Sequence, residues 1–282
     1  MTTIASRVWS GYEDIPAIQR FAAEQRRLVG DLAQWHVGDV AWGFRQHEGR
    51  ESEWTVRLWE EDGDVVAWSW LKGEKGGLEF EIRPDRLELL DDVLDEPRAE
   101  IVACREDDAP VREALAARGF DRRRWAIHVN VRELLEPPDQ TPLPEGFRLR
   151  TVTDDDLAER VAIHRDVWAP SRVTESSYAN VMATWPYRRS LDCTVEAPDG
   201  CFAAYVLAWP DDENGVGLFE PVGTREEFRR QGLGAAVCTF ALRRLWEEGM
   251  RRAVVGCATD PAWALYESVG FERAYTIVGY GR

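Results

Sequence analysis

Residues 227–237 read EFRRQGLGAAV: two adjacent arginines, a Gly-x-Gly, then an apolar run. From Leu233 onward, Leu233, Val237, Ala241 and Leu245 recur every four positions, which predicts an amphipathic helix ending at Gly249. Upstream, VGLFEPVGT (216–224) reads as a strand. A strand–loop–helix turn of this kind leaves unpaired backbone N–H groups at the helix start, where the helix dipole adds positive charge. Glycine there lets a phosphate reach the backbone with no Cβ in the way, and Arg229 and Arg230 add charge-assisted donors. The chemistry predicted is pyrophosphate binding. An ordinary glycine turn is the plain alternative, and for an isolated Gly-x-Gly it is the commoner one.

The spacing is not that of other phosphate loops. No Gly-Lys-Ser/Thr follows, and a Gly-x-Gly-x-x-Gly fails because position 237 is Val. What stands is Arg-x-x-Gly-x-Gly, from Arg229 to Gly234. After a strand and before a helix, that pattern resembles the acyl-CoA pyrophosphate loop of the GNAT superfamily of N-acetyltransferases. Further on, ALYESVGF (264–271) is similar to the family's next element, an alanine-rich helix bearing a Tyr, then Gly-Phe and a last strand. The resemblance covers roughly 147–282.

The resemblance implies direct transfer: an amine attacks the thioester of acetyl-CoA, a tetrahedral oxyanion forms, and the CoA thiolate leaves. It implies the pyrophosphate on the backbone of Arg230, Gln231, Gly232, Leu233, Gly234 and Ala235, beside Arg229. Main-chain groups of Val222, Gly223 and Thr224 would pair with the pantetheine arm, one amide polarising the thioester carbonyl. Tyr266 would protonate the leaving thiolate, since a phenol of ordinary pKa about 10 keeps its proton at neutral pH. Thr259 stands seven residues before Tyr266, where the family often has Asn, and offers a hydroxyl to the cofactor or the nearby loop.

Glu220, just before Pro221, is the first candidate for the base that deprotonates the incoming ammonium; a solvated or salt-bridged Glu is the alternative. His164 is the second. With Leu157, Val161 and Trp168 it falls on the apolar face of the first helix of the second half, a region that lines acceptor pockets in the family. A packed core histidine is its alternative. Residues 169–190, rich in Ser, Arg and aromatics, are placed to select the acceptor, with Arg172 as a possible binder of phosphate or carboxylate and a surface residue as its alternative.

These residues need a scaffold, and the chain predicts one twice. EPPDQTPLPEG (136–146) holds four prolines, which exclude helix and central strand and mark an extended linker. Each half opens with a strand-like segment and a helix start; Thr153 with Asp156 makes a capping box in the second. Each then has a β region turning at EDGD (61–64) or APDG (197–200). Each closes with a short helix, Gly-Phe and a final strand: VREALAARGF and PAWALYESVGF. The expected fold class is α/β (α+β), two tandem GNAT-like domains, each a mixed, largely antiparallel sheet flanked by helices. Residues 1–135 would be a degenerate copy without the cofactor loop, with Leu115 where Tyr266 stands, and 147–282 the catalytic domain.

Composition bounds the partners. A formal net charge of −16 argues against a nucleic-acid surface, which works by neutralising phosphates, and weakly favours a basic small-molecule or peptide amine. No run approaches the roughly 18 apolar residues of a membrane span, and the N-terminus lacks the apolar stretch of a signal peptide, so a cytoplasmic location is expected. Five cysteines without a CxxC and four scattered histidines predict buried thiols and no metal site. Two other functions compete: acyl transfer onto an amino-sugar thiol precursor, as in mycothiol synthases, which are also tandem GNAT proteins, and a non-catalytic acyl-CoA-binding scaffold.

Overall fold

The computed structural model describes residues 3–73 and 76–282, so Glu74 and Lys75 of the expected first β region lie outside it. In chain order the elements begin with β1 (Ala5–Val8), α1 (Ile15–Val29), α2 (Val37–Arg45), β2 (Trp54–Glu61), β3 (Asp64–Lys72) and β4 (Gly77–Ile82). Next come α3 (Leu90–Leu94), β5 (Ile101–Arg105), α4 (Ala109–Ala117), β6 (Asp121–Glu133), β7 (Arg148–Thr151), α5 (Leu157–Val167) and α6 (Glu175–Met182). The chain continues through β8 (Asp192–Glu196), β9 (Phe202–Asp211), β10 (Val216–Thr224), α7 (Leu233–Glu247), β11 (Arg252–Cys257), α8 (Asp260–Ser268) and β12 (Glu272–Gly281). Among the described residues no helix is long and apolar enough to cross a membrane.

These elements gather into two compact units, and the units are drawn differently from two successive halves. The first comprises Met1–Trp35, Gly49–Val129 and Ala274–Arg282; the second comprises His36–Glu48 and Asn130–Arg273. The expected division at 136–146 follows chain order, whereas two segments cross over. Helix α2 belongs to the second unit. The end of β12 belongs to the first, where Ile277–Gly281 pair antiparallel with Arg105–Ile101 of β5. The proline segment is extended, yet it is strapped to α7 inside the second unit. Gln140 Nε2 donates to Ala236 O at 3.0 Å and Thr239 Oγ1 at 2.9 Å, and Arg243 Nη1 donates to Pro138 O at 3.0 Å.

In the first unit the strands run β1-β2-β3-β4-β5-β12. All neighbours are antiparallel except β4 and β5, which pair in parallel at Gly77↔Ile101 and Leu78↔Val102. The EDGD turn closes the β2–β3 hairpin with Asp62 at φ 53° and Gly63 at φ 92°, the two positive torsions that match strand twist.

In the second unit the order is β6-β11-β10-β9-β8-β7, with Asn130–Glu133 the part of β6 that belongs here. β10 pairs with β11 in parallel, from Val216↔Arg252 to Phe219↔Val255, whereas β10–β9, β9–β8 and β8–β7 are antiparallel. The predicted face of α7 is buried as the four-residue spacing requires. Leu233, Val237, Ala241 and Leu245 pack with Val206, Phe219 and Phe271 in one core.

The duplication extends to individual hydrogen bonds. In the second unit Gly270 (φ 82°) ends α8, and Phe271 N donates to Tyr266 O at 3.0 Å. In the first, Gly119 (φ 76°) ends α4, and Phe120 N donates to Leu115 O at 3.1 Å. A left-handed residue is where glycine costs least, which explains the repeated Gly-Phe. The copies differ between their parallel strands: α7 has 15 residues and α3 only 5.

Candidate active site

The site begins where β10 leaves β11. Their parallel register stops at Phe219↔Val255, and the register with β9 shifts between Phe219 and Val222. Pro221 sits in that irregularity and has no N–H to offer a ladder. Beyond it β10 pairs with β9 alone, Val222↔Val206, Gly223↔Tyr205 and Thr224↔Ala204. Residues 222–224 therefore keep one edge free of β11, suited to an extended ligand that pairs like a strand.

Gly223 is required there by crowding, since a Cβ would lie 2.6 Å from Val167 Cγ1 and 2.8 Å from Tyr205 Cε1. The loop that follows is held from within: Arg229 Nε donates to Thr224 O at 3.3 Å and Gln231 Nε2 to Glu227 O at 3.2 Å. Arg230 adopts φ 65° and Gly232 φ 81°, so the chain turns through two left-handed residues into α7. No side chain caps α7, no acidic residue lies in its first turn, and the space above Gly232 is open to 4 Å. Its first N–H groups and dipole are thus left for an anion, with Arg229 and Arg230 exposed beside them. Helix α8 differs: Thr259 Oγ1 accepts from Ala262 N at 3.4 Å and caps it.

Strand end, loop and α8 enclose a cavity of about 800 Å³. It is lined by Val222, Gly223, Thr224, Arg229, Arg230, Gly232, Leu233, Gly234, Ala235, Thr259 and Tyr266, all singled out in the sequence. Val167, Phe228 and Leu265 line it as well; Phe228 and Leu265 lie within the two quoted stretches but have no role assigned there, and Val167 lies in neither. Gly234 marks how closely the walls meet: a Cβ would lie 3.3 Å from both Leu265 Cδ2 and Thr224 Oγ1. Of residues 229–235, expected at the pyrophosphate, Gln231 alone lies outside the lining.

Tyr266 is both core residue and cavity wall. It is 6% exposed and packs edge-on to Phe271, with ring centroids 5.8 Å apart. Burial pushes its phenol well above the ordinary range, and the charge of Glu220 acts in the same direction. The hydroxyl stays protonated at any working pH and can only donate or accept as a neutral group.

Glu220 stands outside this lining, at the fork itself. The residue is half-buried, its carbonyl accepting from Trp209 Nε1 at 2.6 Å. Burial pushes the carboxyl up to about 8, and the charge of Asp39 adds to the rise. Asp39 comes from the first half of the chain and carries no assignment in the sequence. It lies on α2, where its Oδ2 accepts from His36 N at 2.9 Å in a capping box. In HVGD an Asp three residues after His36 is the local signal that could reveal this helix start, but nothing local shows where the helix docks. Docking is tight: His36 Nε2 bonds Val216 O at 3.2 Å, and a Cβ at Gly38 would lie 2.3 Å from Trp209 Cβ.

The structure does not bring His164 or Arg172 to the cavity. His164 is 4% exposed, bonded through Nδ1 to the Tyr205 hydroxyl at 2.9 Å and packed edge-on to Trp42 at 5.2 Å. Burial lowers it to about 3, with the charges of Arg160 and His47 adding. It is a neutral core residue, too weak a base to take a proton from an ammonium, because the apolar face that suggested a pocket is filled by Trp42 from α2. Arg172 is exposed, beyond the end of α5.

Comparison with known proteins follows the same geometry. Residues 160–271 match the Acetyltransferase (GNAT) family. The chain is 28% identical over 225 residues to a mycothiol acetyltransferase of Clavibacter michiganensis, covering 73% of each. A mycothiol acetyltransferase of Rhodococcus opacus is 28% identical over 218 residues, 61% of this chain and 68% of that one. Among solved structures, a GCN5-related N-acetyltransferase from Sphaerobacter thermophilus aligns with a TM-score of 0.66 at 18% identity, over 99% of this chain and 95% of that one. A tandem GNAT protein from the clavulanic acid biosynthesis pathway aligns with a TM-score of 0.65 at 15% identity, over 99% and 98%.

Proposed function

We propose, from the match of residues 160–271 to the Acetyltransferase (GNAT) family, that the second unit moves an acetyl group from acetyl-CoA to a primary amine. Acetyl-CoA supplies an activated acyl group and a thiolate leaving group. The uncapped start of α7, with Arg229, Arg230 and Gly232, holds the pyrophosphate. The free edge of Val222–Thr224 aligns the pantetheine arm and offers a backbone N–H to the thioester oxygen. Glu220 takes the proton from the ammonium, a carboxyl of pKa about 8 being well matched to an amine near neutral pH. Tyr266 donates to the departing sulfur.

One observation carries the proposal: a single cavity brings together the strand edge, the uncapped glycine turn and the Tyr266 side chain. The test is thiol release from acetyl-CoA over polyamines, amino acids, amino sugars and peptide N-termini. Release with none of them, alongside a rise in Tm with acetyl-CoA, would favour an acyl-CoA-binding scaffold instead.

A second acceptor class has its own support. Two mycothiol acetyltransferases share 28% identity with this chain over more than 200 residues. An amino-sugar thiol precursor therefore belongs in the same panel, and selective thiol release with it would assign the chain to that chemistry.

A further inference from the structure

The first unit carries a cavity of about 200 Å³ between one face of strands β2, β3 and β4 and the stretch from Asp92 to Pro97 at the end of α3. Residues two apart on a strand share a face. Arg57 of β2 therefore stands in the cavity wall with Thr55 and Trp59 on either side of it, each about 7 Å along the strand. Ser69 of β3 lies directly opposite Arg57 in the antiparallel register, which sets their Cβ atoms about 5 Å apart.

This facing pair is unused by the fold. Ser69 is 7% exposed and Arg57 is half-buried, yet among the described residues neither side chain has a hydrogen-bond or ion-pair partner. The Ser69 hydroxyl is not sealed in by its neighbours and opens on the cavity. A polar group so deeply buried is ordinarily bonded, so this one marks a place for a ligand atom.

The flanking residues fix the opposite wall. Trp59 Nε1 donates to Asp92 Oδ2, which holds that carboxylate at one end of the cavity and leaves its Oδ1 over. Asp95 lines the same wall and has no partner among the described residues. At the other end Arg98 Nη2 donates to Thr55 Oγ1 at 2.7 Å and its Nε to Glu96 at 3.2 Å, so the charge of Glu96 is already answered. What remains is one free guanidinium faced by a free hydroxyl, and two carboxylates with oxygens to spare. A simple anion would meet Asp92 and Asp95, and a simple amine would meet Arg57.

We propose that this cavity binds a small α-amino acid as its zwitterion. Its carboxylate accepts from Arg57 and from the Ser69 hydroxyl, and its ammonium donates to Asp92 Oδ1 and to Asp95, so every contact is charge-assisted. A short side chain rests on the buried Leu71 and Val93. Size agrees: a cavity of about 150 Å³ holds the six heavy atoms of benzene, and alanine has as many. All the lining belongs to the first unit, so the inference does not rest on the acetyl transfer proposed for the second.

The test follows the Trp59 indole ¹H–¹⁵N signal of the full chain, assigned as the one missing from Trp59→Phe. L-Alanine is titrated against ethylamine, which lacks its carboxylate, and propionate, which lacks its ammonium. Alanine should shift the signal and bind at least about tenfold more tightly than either, the effect of one charged hydrogen bond. Arg57→Gln and Asp95→Asn should each weaken alanine by about tenfold. Equal affinity for alanine and ethylamine, the behaviour of a merely acidic patch, would overturn the proposal on the unaltered protein. So would equal affinity for alanine and propionate, a preference for alanine that survives Arg57→Gln, or no shift at about 10 mM alanine, as for a cavity that holds only water.

Discussion

Asp39 on α2 and Glu220 on β10 interact through their charges inside the second unit: burial pushes Glu220 up to about 8, and the charge of Asp39 adds to the rise. As a base Glu220 works only when ionised, so turnover should climb as pH passes through about 8. Asp39→Asn keeps an oxygen for the His36 N–H and removes the charge. Its rising limb should move down by about half to one pH unit. Glu220→Gln should slow turnover by about 10²- to 10⁴-fold. An unmoved limb in Asp39→Asn would separate Asp39 from the base.

The same pair affects stability. Folded Glu220 keeps its proton to about pH 8, against an ordinary value of 4.5. Between those values the folded state binds more protons than the unfolded one, so stability falls as pH rises through the window. Tm of Glu220→Gln, relative to the unaltered protein, should therefore improve between about pH 5 and 9. A constant difference across that range would contradict the raised pKa.

His164 works in the opposite direction. Its folded value of about 3 lies below the ordinary 6.5. Between them the unfolded chain takes up a proton that the folded one refuses, so stability is lost as pH falls from 6.5 toward 3. His164→Gln retains a partner for the Tyr205 hydroxyl and removes the titration. The loss of Tm between about pH 7 and 5 should shrink, with the pH profile of turnover unchanged. A displaced turnover profile would restore His164 as a proton acceptor.

Acetyl-CoA should raise Tm by linkage, by about 2.7 kcal/mol of added stability at a hundredfold excess over Kd. Gly232→Asp should abolish this by setting a carboxylate against the pyrophosphate. Because Gly232 sits at φ 81°, Gly232→Asn is the control: Asn tolerates that torsion and adds no charge. Loss in Asp with retention in Asn isolates the electrostatics of the loop; an undiminished shift in Asp would refute the pyrophosphate assignment.

Tyr266→Phe should keep the acetyl-CoA shift in Tm and slow turnover by about 10²-fold, the low end for a lost proton donor. The ring still packs against Phe271, so the fold should hold. Undiminished turnover would remove Tyr266 from the chemistry.

Much of the site was legible because it is built from local rules. A four-residue apolar period buries one face of α7, two left-handed residues shape the loop, and a Gly-Phe cap repeats in both units with Tyr266 in one and Leu115 in the other. Thr259 is legible as a residue of the site, while its second task, capping α8 through an oxygen that leaves the O–H able to donate, is set by where that helix begins. His164 shows the opposite failure: its helical face was read correctly as apolar, yet that face meets Trp42 and Tyr205 and not a cavity.

By itself, the sequence determined the strand–loop–helix turn, the two related copies and the confinement of loop and tyrosine to one of them, because torsions and periodicities are set by neighbouring residues. Only the tertiary structure decided which segments complete which unit. It gave α2 to the second, with Gly38 pressed on Trp209 and the charge of Asp39 acting on Glu220, and gave the end of β12 to the first. Those choices rest on shape fitted between segments far apart in the chain, and no local pattern records what a distant surface will accept.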